Sequence, residues 1–157
     1  MVGSTMKRAE QAREYFKQGY ACSQAVAMAF ADLANVGVDE IAKMMLPFGG
    51  GLGRLRLTCG AVSGMAAAYG MIECKAENSP ENKKNAYADV QRLCEKFSSE
   101  NGSLICADLL SGNNLSVTVG GVAEPRTNEY YKKRPCAELV YHAAQILEDE
   151  LKAKGIL

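Results

Sequence analysis

A chain of 157 residues that is 48% hydrophobic can fill one core and is too short for two ordinary domains, so a single domain over residues 1–157 is expected. Its 18 basic and 18 acidic residues cancel, which argues against an overall field drawing the protein to nucleic acid or to an anionic membrane. The six cysteines are well short of the roughly 8–10% that marks a disulfide-built secreted scaffold.

The first segment, MVGSTMKRAEQAREYFKQG, is charged and has no apolar stretch of the secretory-signal kind, so a cytoplasmic protein is expected. Met6, Ala9, Ala12 and Phe16 recur at helical spacing, giving a first helix from about Met6 to Gln18 with Gly19 beyond its end. A second helix runs from Cys22 to about Ala34. It contains most of the longest apolar run, AVAMAFADLANVGV, which Asp32 and Asn35 interrupt. That run falls below the roughly 18 residues of a membrane span, so no membrane insertion is expected.

A third helix, DEIAKMML, opens on two acids and stops at Pro47. The glycine-rich stretch after it reads as a loop leading into a buried central helix that starts near Cys59 and carries GAVSGMAAAYGMI, whose small residues suit close backbone packing. Ser79 followed by Pro80 starts a long helix striped by Ala86, Val90, Leu93 and Phe97 and ending near Gly102. Ser103 caps a short helix, LICADLL. The following SGNNLSVTVGGVAEPR is irregular, with at most a short extended piece at Leu115 to Val119, and is the flap candidate. Pro135 opens the last helix, striped by Cys136, Leu139, Val140, Ala143, Leu147 and Leu151. The expected fold is all-α: a compact helical bundle of six or seven helices.

The cysteines divide on this map. No Cys-x-x-Cys pair or Cys-x-x-Cys-His occurs, which argues against a zinc ribbon, a thioredoxin-type dithiol and c-type haem attachment. Cys22, Cys59, Cys106 and Cys136 each fall in or just before the first turn of a helix, where unpaired N–H groups and the helix dipole favour a thiolate. Lys132, Lys133 and Arg134 add charge before Cys136, and Arg54 and Arg56 before Cys59. Cys94, on the stripe with Val90 and Phe97, reads as core packing, and Cys74 as an exposed or half-buried structural thiol. His142, the single histidine, lies beside the apolar stripe of the last helix and reads as a hydrogen-bonded surface residue. Tyr130 and Tyr131 read as packing.

Gly49, Gly50, Gly51, Gly53 and Gly60 could present backbone N–H groups to an anion, with two arginines beside them. The third Rossmann glycine and any Gly-Lys-Ser/Thr are missing, so the favoured reading is a sharp turn that brings Cys59 close to other backbones.

The segments GYACSQAVAMAF, FGGGLGRLRLTCGAVSG with its Cys-Gly-Ala-x-x-Gly core, SLICADLL and KRPCAELVYHAAQIL together resemble the bacterial and archaeal C_GCAxxG_C_C family over about Gly19 to Leu147. The resemblance implies redox activity resting on four shared cysteines, which map onto Cys22, Cys59, Cys106 and Cys136. A related domain occurs in multihaem cytochromes, but haem does not carry over, because its attachment motif is missing here. Cys74 and Cys94 lie outside the family pattern.

The residues leave several mechanisms open. The leading reading is that the four thiolates ligate an iron–sulfur cluster or another metal for electron transfer, although clusters normally use short Cys-x-x-Cys runs. A cofactor-free thiol–disulfide protein or sensor serving a redox partner protein accounts for the same positions. A structural zinc site is a third option. The fourth is a module that binds a small anion or a protein while its cysteines only pack, and a homo-oligomer is open under every reading.

Overall fold

The computed structural model describes residues 6–157; the first five residues of the charged N-terminal segment lie outside the described residues. The fold is all helical. Among the described residues nine regular α-helices are formed: α1 (Arg8–Lys17), α2 (Cys22–Met28), α3 (Ala31–Ala34), α4 (Val38–Met45), α5 (Gly60–Glu73), α6 (Pro80–Asn101), α7 (Cys106–Ser111), α8 (Asn128–Lys133) and α9 (Cys136–Ala153). A single isolated bridge, Thr58 to Ile105, is the β pairing among the described residues.

The count exceeds the expected six or seven for two local reasons. The helix expected over Cys22 to Ala34 breaks at Ala29 and Phe30, and Asn35 then ends α3 in the left-handed conformation. The second addition is α8, inside a stretch without apolar periodicity, where the Thr127 side chain accepts from the N–H of Tyr130. The extended piece expected at Leu115 to Val119 is irregular backbone.

The core forms around α5. This helix packs on α2, α6 and α9, while α1 lies across α2 and α9. Ala9, Ala12 and Phe16 of α1, Leu93 and Phe97 of α6, and the whole expected stripe of α9 are buried together. The α2–α5 crossing is close because Gly60 and Gly64 face α2: a Cβ on Gly64 would stand 2.6 Å from the Ser23 carbonyl oxygen. Ser23 is itself buried, and its hydroxyl donates to the Met45 carbonyl at 2.7 Å, tying α2 to the end of α4. At the far end of the bundle, Asp89 of α6 accepts from Tyr69 at 2.5 Å and from Lys154 at 2.9 Å, while Arg92 pairs with both Asp89 and Glu150.

After α4 a 3-10 turn over Leu46–Phe48 leads into the glycine-rich stretch. Five consecutive residues, Gly50 to Arg54, have left-handed φ values between 56° and 75°, and Arg56 follows at 62°. Glycine tolerates this region, whereas Leu52, Arg54 and Arg56 each stand there at a cost of roughly 1–2 kcal/mol. Hydrogen bonds hold the turn closed, from Gly53 N–H to the Pro47 carbonyl and from Leu57 N–H to the Gly51 carbonyl, both 2.8 Å. No side chain fits at Gly51, where a Cβ would meet Leu57 N at 2.6 Å.

Candidate functional site

The four helix-start cysteines come from far-apart positions in the sequence and line one cavity of about 310 Å³. Cys22, Cys106 and Cys136 are the first residues of α2, α7 and α9, and Cys59 is the residue just before α5. Local backbone bonds account for two of these placements. The loop before α5 pairs with the entry to α7, with Cys59 N–H donating to Leu104 O at 2.8 Å and Cys106 N–H to Leu57 O at 2.6 Å. This pairing occupies Leu104 and Ile105, so α7 starts at Cys106 rather than at Leu104. Ser103 accepts from Ile105 N–H ahead of the helix.

Gly60 sits under Cys22, with room for no more than a hydrogen: a Cβ there would lie 3.2 Å from Cys22 Cβ. Cys136 reaches the same point from the last helix. Cys22 and Cys136 act on each other's acidity across the cavity they both line. Gly49, Gly50, Gly51, Gly53 and Gly60 all border the cavity.

The four thiols differ in acidity. Cys136 is lowered by its neighbour Cys22 and, against its burial, by the guanidinium groups of Arg134, Arg126 and Arg56. Cys22 is raised by Cys136 and by burial. Burial pushes Cys59 up to about 12, outweighing the Ala61 and Val62 N–H groups at the start of α5. Burial also raises Cys106, partly offset by Arg56, whose Nη1 lies 3.7 Å from its sulfur. The expectation that Arg54 and Arg56 lower Cys59 is not met: Arg56 meets the Cys106 sulfur, and burial outweighs every favourable influence on the Cys59 thiol. Of the three charges before Cys136, Arg134 is the one that acts on its thiol, while Lys133 pairs with Glu129 at the surface.

Arg126, Glu124 and Tyr130 also line the cavity, and sequence spacing gave no sign of them. Glu124 and Arg126 belong to the irregular segment, whose only signal was its length, and Tyr130 to α8 just beyond it. Arg54 donates to Gly120 O at 2.8 Å and Arg56 to Thr118 O at 3.0 Å, so the left-handed turn holds this segment as a strap over the cavity. Glu124 pairs with Arg134 and Arg54. Arg126 donates to the carbonyls of Phe16 and Tyr20, at 3.0 Å each, with its guanidinium 4.2 Å from the centre of the Phe16 ring.

The other cysteines lie away from this cavity. Cys74 is exposed, and Cys94 is half-buried against the core. His142 Nδ1 lies 2.9 Å from Asn101 Oδ1, tying α9 to the end of α6. Among the described residues no group of three or more Cys, His, Asp or Glu side chains could hold a metal ion as it stands. The donor set for a cluster is therefore present around one cavity but not arranged to close on a metal. No helix of the described residues is long and apolar enough to cross a membrane.

Fold and site together define a small all-α protein with four helix-start thiols around one arginine-lined cavity. The chain belongs to the C_GCAxxG_C_C family: the family model, described as "Putative redox-active protein (C_GCAxxG_C_C)", matches residues 20–150. A relative from Archaeoglobus fulgidus, named only as an uncharacterized protein, is 28% identical over 159 residues, which cover 94% of this chain and 97% of the relative. No solved structure matches the chain.

Proposed function

We propose that the protein is a thiol–disulfide redox protein in which Cys22 and Cys136 form the reversible pair. The observation that carries this reading is that Cys22 and Cys136, each heading a helix, line one cavity with Arg56, Arg126 and Arg134, where each thiol shifts the other's acidity. A thiol sharing its proton with a neighbouring thiolate is poised for exchange, because the thiolate is the nucleophile and its partner is already in place. Oxidising the pair in its singly ionised form removes two electrons and the shared proton, and an S–S bond forms between the sulfurs. Cys59 and Cys106, raised by burial, stand by as thiols. Family membership supports redox activity in general terms.

One observation favours a second reading. All four thiols border the same cavity, and four thiolates suffice for a [2Fe–2S] or [4Fe–4S] cluster that would carry electrons. As they stand, no three of these thiols are grouped to hold a metal ion, so they would have to draw together to bind it.

Protein purified without oxygen and assayed for iron, zinc and acid-labile sulfide, then titrated with oxidant and mapped by peptide mass spectrometry, separates the readings. Metal-free protein that takes up two oxidising equivalents and yields a Cys22–Cys136 peptide supports the dithiol. Iron and sulfide in near-stoichiometric amounts, with visible bands that bleach on reduction, replace it with the cluster. Neither metal nor reversible pairing leaves a binding module with packing cysteines.

A further inference from the structure

The charges around the cavity do not balance. Arg54, Arg56, Arg126 and Arg134 all line it, against the single carboxylate of Glu124. Glu124 is engaged with Arg54 and Arg134. Neither Arg56 nor Arg126 has a carboxylate partner among the described residues. Even with one cysteine thiolate counted, the cavity keeps an excess of positive charge.

Arg56 makes the imbalance costly, since it is only 7% exposed. Its Nε donates to a neutral carbonyl, and its Nη1 meets the Cys106 sulfur at 3.7 Å. A buried cation without a counter-ion carries a desolvation penalty that neutral acceptors only partly offset. Arg126 is held at a fixed position by two carbonyls and the Phe16 ring, so its charge is pre-aimed and needs no reordering to receive a ligand. Leu109, Leu110 and Leu139 supply the apolar part of the wall. A cavity of about 310 Å³ with apolar walls and a few fixed polar groups is of small-molecule size.

We infer that the cavity binds a small anionic substrate, its negative group at Arg56 and Arg126 and its reactive end against Cys22 and Cys136; this rests on the thiol–disulfide reading above. The class of substrate this defines is a carboxylate- or oxyanion-bearing molecule able to exchange with a thiolate. For an anionic disulfide, the Cys136 thiolate attacks one sulfur, the substrate S–S bond breaks and one substrate thiolate leaves. Cys22 gives its proton to that thiolate and attacks the Cys136 sulfur, which releases the second substrate thiolate and leaves the protein disulfide.

Three disulfides on one two-carbon skeleton test the charge preference: the bis-sulfonate of 2-mercaptoethanesulfonate, neutral 2-hydroxyethyl disulfide, and cationic cystamine. Reduced protein at low ionic strength should react with the bis-sulfonate at least tenfold faster than with cystamine, with the neutral disulfide between them. Arg56→Gln and Arg126→Gln should compress the order several-fold, Arg126→Lys should retain it, and Lys133→Gln on the exposed surface should leave it unchanged. Far-UV circular dichroism checks that each variant folds. Should Arg126→Gln unfold, the wild type and Arg56→Gln still decide the matter.

Equal wild-type rates for the bis-sulfonate and the neutral disulfide would overturn the inference, as would an order that survives both glutamine variants. Should none of the three react, sulfate titrated into the protein gives the answer separately. A rise in melting temperature that both glutamine substitutions abolish would keep the anion site while the thiol–disulfide reading fails, and no rise would end both.

Discussion

Gly60 and Cys22 meet at the α2–α5 crossing, where the missing side chain of the first makes room for the second: a Cβ on Gly60 would fall 3.2 Å from Cys22 Cβ and 3.1 Å from the Phe48 carbonyl oxygen. The Gly60→Ala variant should therefore lose about 1–3 kcal/mol, the usual range for overpacking, and form the Cys22–Cys136 linkage more slowly. Gly64→Ala, against backbone at 2.6 Å, should be at least as damaging. Gly70→Ala meets nothing within 4 Å and should stabilise by roughly 0.5–1 kcal/mol through helix propensity. Urea unfolding of the three variants checks the order.

Cys136 should be alkylated by iodoacetamide with a pH midpoint below the roughly 8.5 of a free thiol, because Cys22 and three guanidinium groups favour its thiolate. A lowered pKa means that the reactive form persists to lower pH, so removing a cause moves the midpoint up: Cys22→Ala and Arg134→Gln should both raise it. Cys59, pushed up to about 12, should stay unmodified at neutral pH. Peptide mass spectrometry across the pH range reads all of this, and Cys59 labelled as fast as Cys136 would contradict it.

Serine substitutions separate the two redox readings. Cys22→Ser and Cys136→Ser should each abolish two-electron oxidation, while Cys74→Ser and Cys94→Ser, away from the cavity, should leave it intact. Cys59→Ser is the discriminating variant. A Cys22–Cys136 pair survives it with a changed midpoint potential, whereas a four-thiolate cluster loses a ligand and should lose iron.

Much of this was readable from the chain, for identifiable reasons. The stripe of α9 follows helical period closely enough to name its buried residues, those of α1 and α6 name theirs together with the half-buried Met6, Ala86 and Val90, and the four thiols fall at helix starts because caps and breakers are local signals. What escaped was long-range or conformational. Nothing in GGGLGRLR announces five left-handed residues in a row, and that turn is what aims Arg56 at Cys106. Arg126 sits in a segment without periodicity and reaches the site only through the carbonyls of Phe16 and Tyr20. The break at Ala29 and Phe30 was hidden because the apolar run continues through it.

Far from the thiols, Asp89 should set part of the acid stability. Burial opposes its charge, but hydrogen bonds from Tyr69, Lys154 and Arg92 outweigh this and hold it down to about 2. Its folded value lies below the roughly 3.9 of an unfolded aspartate, so its contribution is complete above about pH 4 and lost as pH falls towards 2. Asp89→Asn should lower stability at pH 7 by about 1–3 kcal/mol. The gap in melting temperature between variant and wild type should narrow between pH 4 and pH 2.

Glu124 anchors the strap to Arg134 and Arg54. Glu124→Gln should expose residues 112–127 to limited proteolysis severalfold faster, with helix content unchanged by circular dichroism. Unaltered cleavage would show that Arg54 to Gly120 and Arg56 to Thr118 suffice.

Cys22 heads the second helix and Cys136 the last. A bond between their sulfurs would tie the two ends of the chain into a ring enclosing nearly all of the core. Chain-entropy arguments assign a closure on the order of 100 residues about 4.7 kcal/mol, comparable to the whole margin that keeps many small proteins folded. The electron state of one cavity would then be legible as the durability of the entire molecule: the oxidised protein should outlast the reduced one under heat and proteases, and each turnover would loosen and tighten the fold as a unit.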